Sequence, residues 1–144
     1  MTDRTRQPAY ALHAVVALLD RSADQILPSL GLTYSRYLTL LTIERLGEAT
    51  QRAIAEAMGI TEPAVSRTIR ALQAEGLVDA AASPGTGNRR AVRLTSAGQR
   101  LVERAATQLE DRFAALLTSA GLAASDVLAI TEPIIKLLAE GESS

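Results

Sequence analysis

Apolar positions along this chain fall into helical spacing almost everywhere, with one short interruption past the middle. Leu12, Val15, Val16, Leu19, Ile26 and Leu27 recur at intervals that predict a helix from Tyr10 to Leu27 with one buried face. Pro28 and Gly31 end it, and Thr33 caps a second helix carrying Tyr37, Leu38, Leu41 and Leu46 up to Gly47. A third, short helix spans Gln51 to Met58. Gly59 breaks it, Thr61 caps a fourth that reaches Glu75, and Gly76 closes that one. The texture then changes. Leu77 to Ala81 is a short apolar stretch, Ser83 to Asn88 is loaded with turn formers, and Ala91 to Leu94 alternates apolar and basic residues. Two short strands joined by a turn fit that pattern. Thr95 caps a long helix to about Thr118, and a last helix runs from about Ala123 to Ala139.

The order α-α-α-α-β-β-α-α predicts a mostly α fold with a small β-hairpin wing. Ile-Thr-Glu-Pro occurs twice, at residues 60–63 and 130–133. At the first site Pro63 falls in the first helical turn, where its missing N–H costs nothing. At the second, Pro133 falls inside the last helix and is expected to kink it. The flanks do not match, so the repetition is read as coincidence.

Composition narrows the chemistry. Apolar residues make up 47% of the 144 and aromatic ones only 3%, so the core is aliphatic and substantial. There is no cysteine, which removes disulfides, thiolate catalysis and thiol-based sensing. A single histidine excludes a multi-histidine metal site within one chain. No nucleophile–base pair, phosphate loop or cofactor motif is present, so an enzyme is not expected, and no metal or cofactor is expected either. No apolar run reaches the length of a membrane span, and the N-terminus lacks a signal-peptide core, so a cytoplasmic protein is expected.

The net charge of −1 is uninformative, but its distribution is not. Residues 61–104 carry seven arginines against four carboxylates, whereas residues 105–144 carry two cations against six. Phosphate binding responds to local charge.

The segment Gln51 to Glu75 has the parts of a DNA-reading helix pair. Ile54 and Met58 give the support helix an apolar side, small Ala55 permits close approach, Gly59 suits the turn, and Ile60 is expected to plug the corner. Val65, Ile69 and Leu72 form the inner stripe of the second helix. Thr61, Pro63, Ser66, Arg67 and Arg70 are left on its outside, where arginines reach guanine edges or phosphates. Beyond the second helix, Asn88, Arg89, Arg90 and Arg93 suit a tip that clamps phosphates or enters a minor groove. The competing reading is a winged-helix module that binds protein rather than DNA, for which these arginines are dispensable.

Three stretches, LTYSRYLTLLTIERLG, QRAIAEAMGITEPAVSRTIRALQAEGLV and RRAVRLTSAG, closely resemble the MarR family of bacterial transcription regulators. With the flanking helices the resemblance covers nearly the whole chain. It implies a winged helix-turn-helix over residues 33–95 and a helical dimerisation region made of residues 1–32 and 96–144. It implies a homodimer built from the first and last two helices, acting on double-stranded DNA at a palindromic operator, usually as a repressor. Two reading helices would then stand about 34 Å apart, one turn of DNA. It further implies release by a small, often phenolic or lipophilic effector bound between the dimerisation helices and the DNA-binding part. His13, Tyr34, Arg36 and Tyr37 are the candidates for that site. Each also has a plain structural reading, as a partly buried histidine or as core tyrosines with satisfied hydroxyls. The departure from the family is in the wing. An Asp often stands two residues before an Arg there, whereas this chain has Asn88 and Arg90, and its second strand reads about two residues short.

Leu12, Val16, Leu19, Leu116, Leu117, Val127, Ile134, Leu137 and Leu138 exceed what a small DNA-binding half can cover, and are read as the dimer interface rather than as a monomer core.

Overall fold

A computed structural model describes residues 3–82 and 90–141 of the chain. It contains six α-helices and three short strands: α1 (Pro8–Ile26), α2 (Tyr34–Leu46), β1 (Ala49–Thr50), α3 (Gln51–Met58), α4 (Glu62–Ala74), β2 (Val78–Ala82), β3 (Arg90–Leu94), α5 (Ser96–Ser119) and α6 (Ala124–Gly141). The chain divides into two compact units, Met1–Thr107 and Gln108–Ser144. This is a mostly α fold with a small antiparallel sheet, as expected, and the sheet is that of a winged helix. Among the described residues, no single helix is long and apolar enough to cross a membrane.

In the first unit three threonines start three helices by one device. Thr33, Thr50 and Thr61 are extended residues whose side-chain oxygens accept from Arg36, Ala53 and Ala64 backbone N–H groups, the last at 3.3 Å. Gly59 ends α3 in the left-handed region (φ 68°), letting its own N–H and that of Ile60 turn back to the last carbonyls of the helix. α4 follows within a few residues, so the two helices are held by a tight corner.

The core of this unit is aliphatic. Leu27, Leu40, Ile43, Ile54, Val65, Ile69, Leu72, Val78, Val92 and Val102 are all but inaccessible to solvent. Every helix from α2 to α4 sends residues into it, and so do β2, β3 and the first half of α5. Ile60 does not join it. It is 42% exposed, because the short corner turns its side chain outward and Ile54, Ala55 and Val65 already fill the angle.

The sheet has one strand more than the alternation of residues predicts. β3 is central, pairing antiparallel with β2 (Val78 opposite Leu94, Ala80 opposite Val92) and with β1 (Ala49 opposite Val92). β1 is two residues long and carries no periodic signal of its own. It exists because β3 offers a free edge there.

α1 differs from its expectation. Ala23 is its one buried residue, and Leu27 is buried in the turn that follows. Leu12, Val15 and Val16 are exposed in the single chain and Leu19 and Ile26 are half-buried, so only the C-terminal end of the predicted stripe is covered.

In the second unit, Leu122 N–H returns to Leu117 C=O at 2.9 Å, and Asp126 accepts from Ala123 N–H at 2.8 Å to start α6. α6 runs on through Pro133, and none of its described residues is buried. Of the residues assigned to an interface from sequence, Leu117 is buried, while Leu19 and Val127 are half-buried. Leu12, Val16, Leu116, Ile134, Leu137 and Leu138 are exposed.

Candidate nucleic-acid interface

α4 is amphipathic in a way that separates support from display. Val65, Ile69 and Leu72 lie on its inner side and are fully buried. Pro63, Ser66, Arg67 and Arg70 recur at three- and four-residue intervals and fall on one opposing stripe. Pro63, Arg67 and Arg70 are exposed and Ser66 is half-buried. Arg70 donates from Nη2 to Ser66 Oγ at 3.3 Å, a contact one helical turn long that aligns the guanidinium along the stripe.

Thr61 is the N-cap and Pro63 sits in the first turn, as the sequence predicts. The cap satisfies the Ala64 N–H, and the positive end of the helix dipole faces outward beside the stripe. Glu62 also lies in that first turn, where its charge suits the dipole.

β3 carries two of the arginines assigned to the wing. Arg90 and Arg93 both lie on β3 and are exposed. Being three residues apart, they fall on opposite faces of a pleated strand. Val92 and Ala91, the buried neighbours on those respective faces, carry the same alternation. Arg93 stands opposite Asp79 of β2, and Arg90 opposite Ala82 at the end of the paired ladder. Asn88 and Arg89 lie outside the described residues.

The effector candidates occupy two separate places. Tyr34, Arg36 and Tyr37 share the first turns of α2. His13 is exposed on α1, roughly 10 Å along the helix from Asp20, seven residues on. Tyr37 is buried. The Tyr34 hydroxyl is pushed up to about 12, first by burial and then because it donates to Asp20 on α1, with Asp24 adding negative charge nearby. Arg36 is half-buried and its Nη1 lies 2.6 Å from Glu75 Oε1 at the end of α4. All three α2 candidates therefore have structural work, and none stands beside His13 in sequence or along its helix.

Two residues here do more than the sequence pattern assigns to them. Gly98 is buried in the first turn of α5, and any Cβ placed on it would collide with the Leu77 carbonyl oxygen. Thr95 was expected as a cap and does accept from Gly98 N–H at 3.1 Å. Its hydroxyl also donates to Gly76 C=O at 2.7 Å, and its own N–H to Leu77 C=O at 3.1 Å. The Leu-Thr-x-x-Gly stretch is the local signal that marks both residues.

A family model described as the MarR family matches residues 30–87. That span runs from the turn before α2, through the α3–α4 pair and β2. Over that segment the sequence is similar to the MarR family. Solved structures with the MarR fold cover almost all of the chain. A mutant MarR from E. coli is 21% identical, with a TM-score of 0.76 over 91% of this chain and 96% of that one. An S. aureus MepR–DNA complex is 22% identical, with a TM-score of 0.72 over 96% and 99%. CouR, a transcriptional repressor bound to a 23-mer DNA duplex, is 24% identical, with a TM-score of 0.74 over 94% and 96%. No curated protein matches in sequence. Arg90 and Arg93 lie beyond the MarR family match, whereas the whole α4 stripe lies within it.

Proposed function

We propose that this chain is a sequence-specific DNA-binding transcription regulator, a repressor rather than an enzyme, acting as a homodimer on a palindromic operator. The observation that carries the reading is the α4 stripe. Pro63, Ser66, Arg67 and Arg70 occupy one side of a helix whose other side is locked into a core by three fully buried residues. A helix held from behind in this way keeps one constant side turned outward, as insertion into a major groove requires. Arg67 and Arg70 are the residues for guanine edges or flanking phosphates, each good bidentate pair contributing about 1–3 kcal/mol of discrimination. Thr61 and the helix N-terminus suit a phosphate. Arg90 and Arg93, on opposite faces of β3, leave one to approach a groove and the other to approach the backbone beside it. E. coli MarR complexed with operator DNA, MepR and CouR, all solved with DNA, support the same assignment.

The homodimer rests on the exposed apolar side chains of α1 and of the last two helices, among them Leu12, Val16, Leu116, Ile134, Leu137 and Leu138. Exposed large apolar side chains in such number are seldom left in water. Release by a small phenolic or lipophilic effector is the remaining part of the proposal, with Tyr34, Arg36, Tyr37 and His13 as its residues.

The test is protection of the DNA upstream of the protein's own gene and its neighbours at several salt concentrations. The expected footprint is a palindrome with half-sites one helical turn apart, and an affinity that falls steeply with salt. Absence of both protection and salt dependence would overturn the reading. The double variant R67A/R70A is expected to lose about 100-fold or more in operator affinity while remaining a folded dimer.

A further inference from the structure

The C-terminal end of α4 is tied to two other helices, and one of the ties joins charges that do not suit the helices they stand on. Glu75 is the C-cap of α4, and a carboxylate there opposes the negative end of the helix dipole. Arg36 lies in the first turn of α2, where a cation opposes the positive end. Each charge is misplaced for its own helix, yet the two meet at 2.6 Å across 39 residues of sequence. The same end of α4 is bound from the other side. Thr95 holds Gly76 C=O at 2.7 Å and Leu77 C=O at 3.1 Å, and Gly98 packs so closely on Leu77 that only hydrogen fits.

We infer that Glu75–Leu77 is a fixed joint that sets the angle of α4, and that Arg36 is a positioning residue for DNA reading, acting through Glu75 without touching DNA. The inference rests on the proposal that α4 reads DNA. Arg36 restrains the joint from the α2 side, and Thr95 with Gly98 restrains it from the start of α5. Loss of the charge pair leaves the buried stripe in place but lets the last turn shift. The helix then presents Arg67 and Arg70 off register, which weakens specific contacts more than phosphate contacts.

The experiment compares wild type with R36Q, E75Q and the charge swap R36E/E75R by fluorescence anisotropy, on operator DNA and on a scrambled duplex of equal length. Either single variant is expected to lower operator affinity about threefold to tenfold, with scrambled-DNA affinity unchanged. The swap restores operator affinity, and it raises the melting temperature because both charges then agree with their helix dipoles. A purely structural pair would lower melting temperature and both affinities together. Three results would overturn the inference: operator discrimination unchanged in R36Q, no recovery in the swap, or a log–log salt slope reduced by about one, which would place Arg36 on a phosphate. Failure of wild type to discriminate between the duplexes would remove the DNA reading itself, and this inference with it. Wild-type discrimination with unaffected variants would remove the inference alone.

Discussion

Two helices of this chain begin or pass through the same four residues and use them in opposite ways. In α4, Ile60-Thr61-Glu62-Pro63 is a start: Thr61 caps, Glu62 meets the positive helix end, and Pro63 sits where no N–H is needed. In α6, Ile130-Thr131-Glu132-Pro133 is an interior. Thr131 turns its hydroxyl back to Val127 C=O at 2.9 Å, and Pro133 leaves the Ala129 carbonyl without its helical donor. The helices also differ in what holds them. α4 is fastened by Val65, Ile69 and Leu72, all fully buried, while α6 buries nothing in the single chain. The same tetrapeptide thus reads as boundary or interior according to what precedes it. Gly59 stops α3 before the first copy, whereas Asp126 has already started α6 before the second.

Substitutions sharpen the contrast. The largest effect is expected from matched apolar truncations. Leu72→Ala in α4 is expected to cost about 2–5 kcal/mol of folding stability in denaturant unfolding, because a fully buried leucine leaves a cavity. Leu138→Ala in α6, where the side chain is 67% exposed, is expected to change the stability of the isolated chain by less than about 0.5 kcal/mol. Sedimentation should instead show weaker self-association. Equal folding losses at the two sites would end the distinction between a packed and an unpacked helix.

The prolines come next. Pro133→Ala is expected to raise melting stability, up to the ~3 kcal/mol that proline costs a helix interior. Pro63→Ala is expected to change it by less than about 1 kcal/mol. A stabilising Pro63→Ala as large as Pro133→Ala would mean that the first proline is not in a helix start.

Smaller again is the threonine pair. Thr61→Ala removes a cap and is expected to cost about 1 kcal/mol, whereas Thr131→Ala removes only a back-bond within a helix and is expected to be near neutral.

The smallest effect concerns the tie between α1 and α2. The Tyr34 hydroxyl titrates at about 12 in the folded chain, against an ordinary value near 10. The folded state therefore holds the proton more tightly, so this contribution is complete below pH ~10 and is lost as pH rises towards 12. Tyr34→Phe should flatten that part of the stability profile. An unchanged decline between these pH values would show that Tyr34 does not supply it.

Much of the first unit was legible because its signals are local. A threonine cap, a glycine stop and a stripe of apolar residues each act over one or two turns, so the bounds of α3 and α4, the buried Val65-Ile69-Leu72 side and the displayed Arg67 and Arg70 follow from neighbours in sequence. Adjacent residues alone were thus enough to place the α3–α4 pair, its exposed side and the two strands that follow it.

The remaining features depend on residues far apart in the chain. β1 is a strand because β3 accepts it, not because two residues have a period. Arg90 and Arg93 are divided between two faces by a pleat whose register comes from pairing with β2. Ile60 faces solvent because others had filled the corner. Gly98 is required by a carbonyl 21 positions earlier. Arg36, read from sequence as an effector residue, meets Glu75 because α2 and the end of α4 converge. Caps and turns are settled by a few adjacent backbone groups, whereas registers, close approaches and charge pairs are settled by packing, whose partners are named by the fold alone.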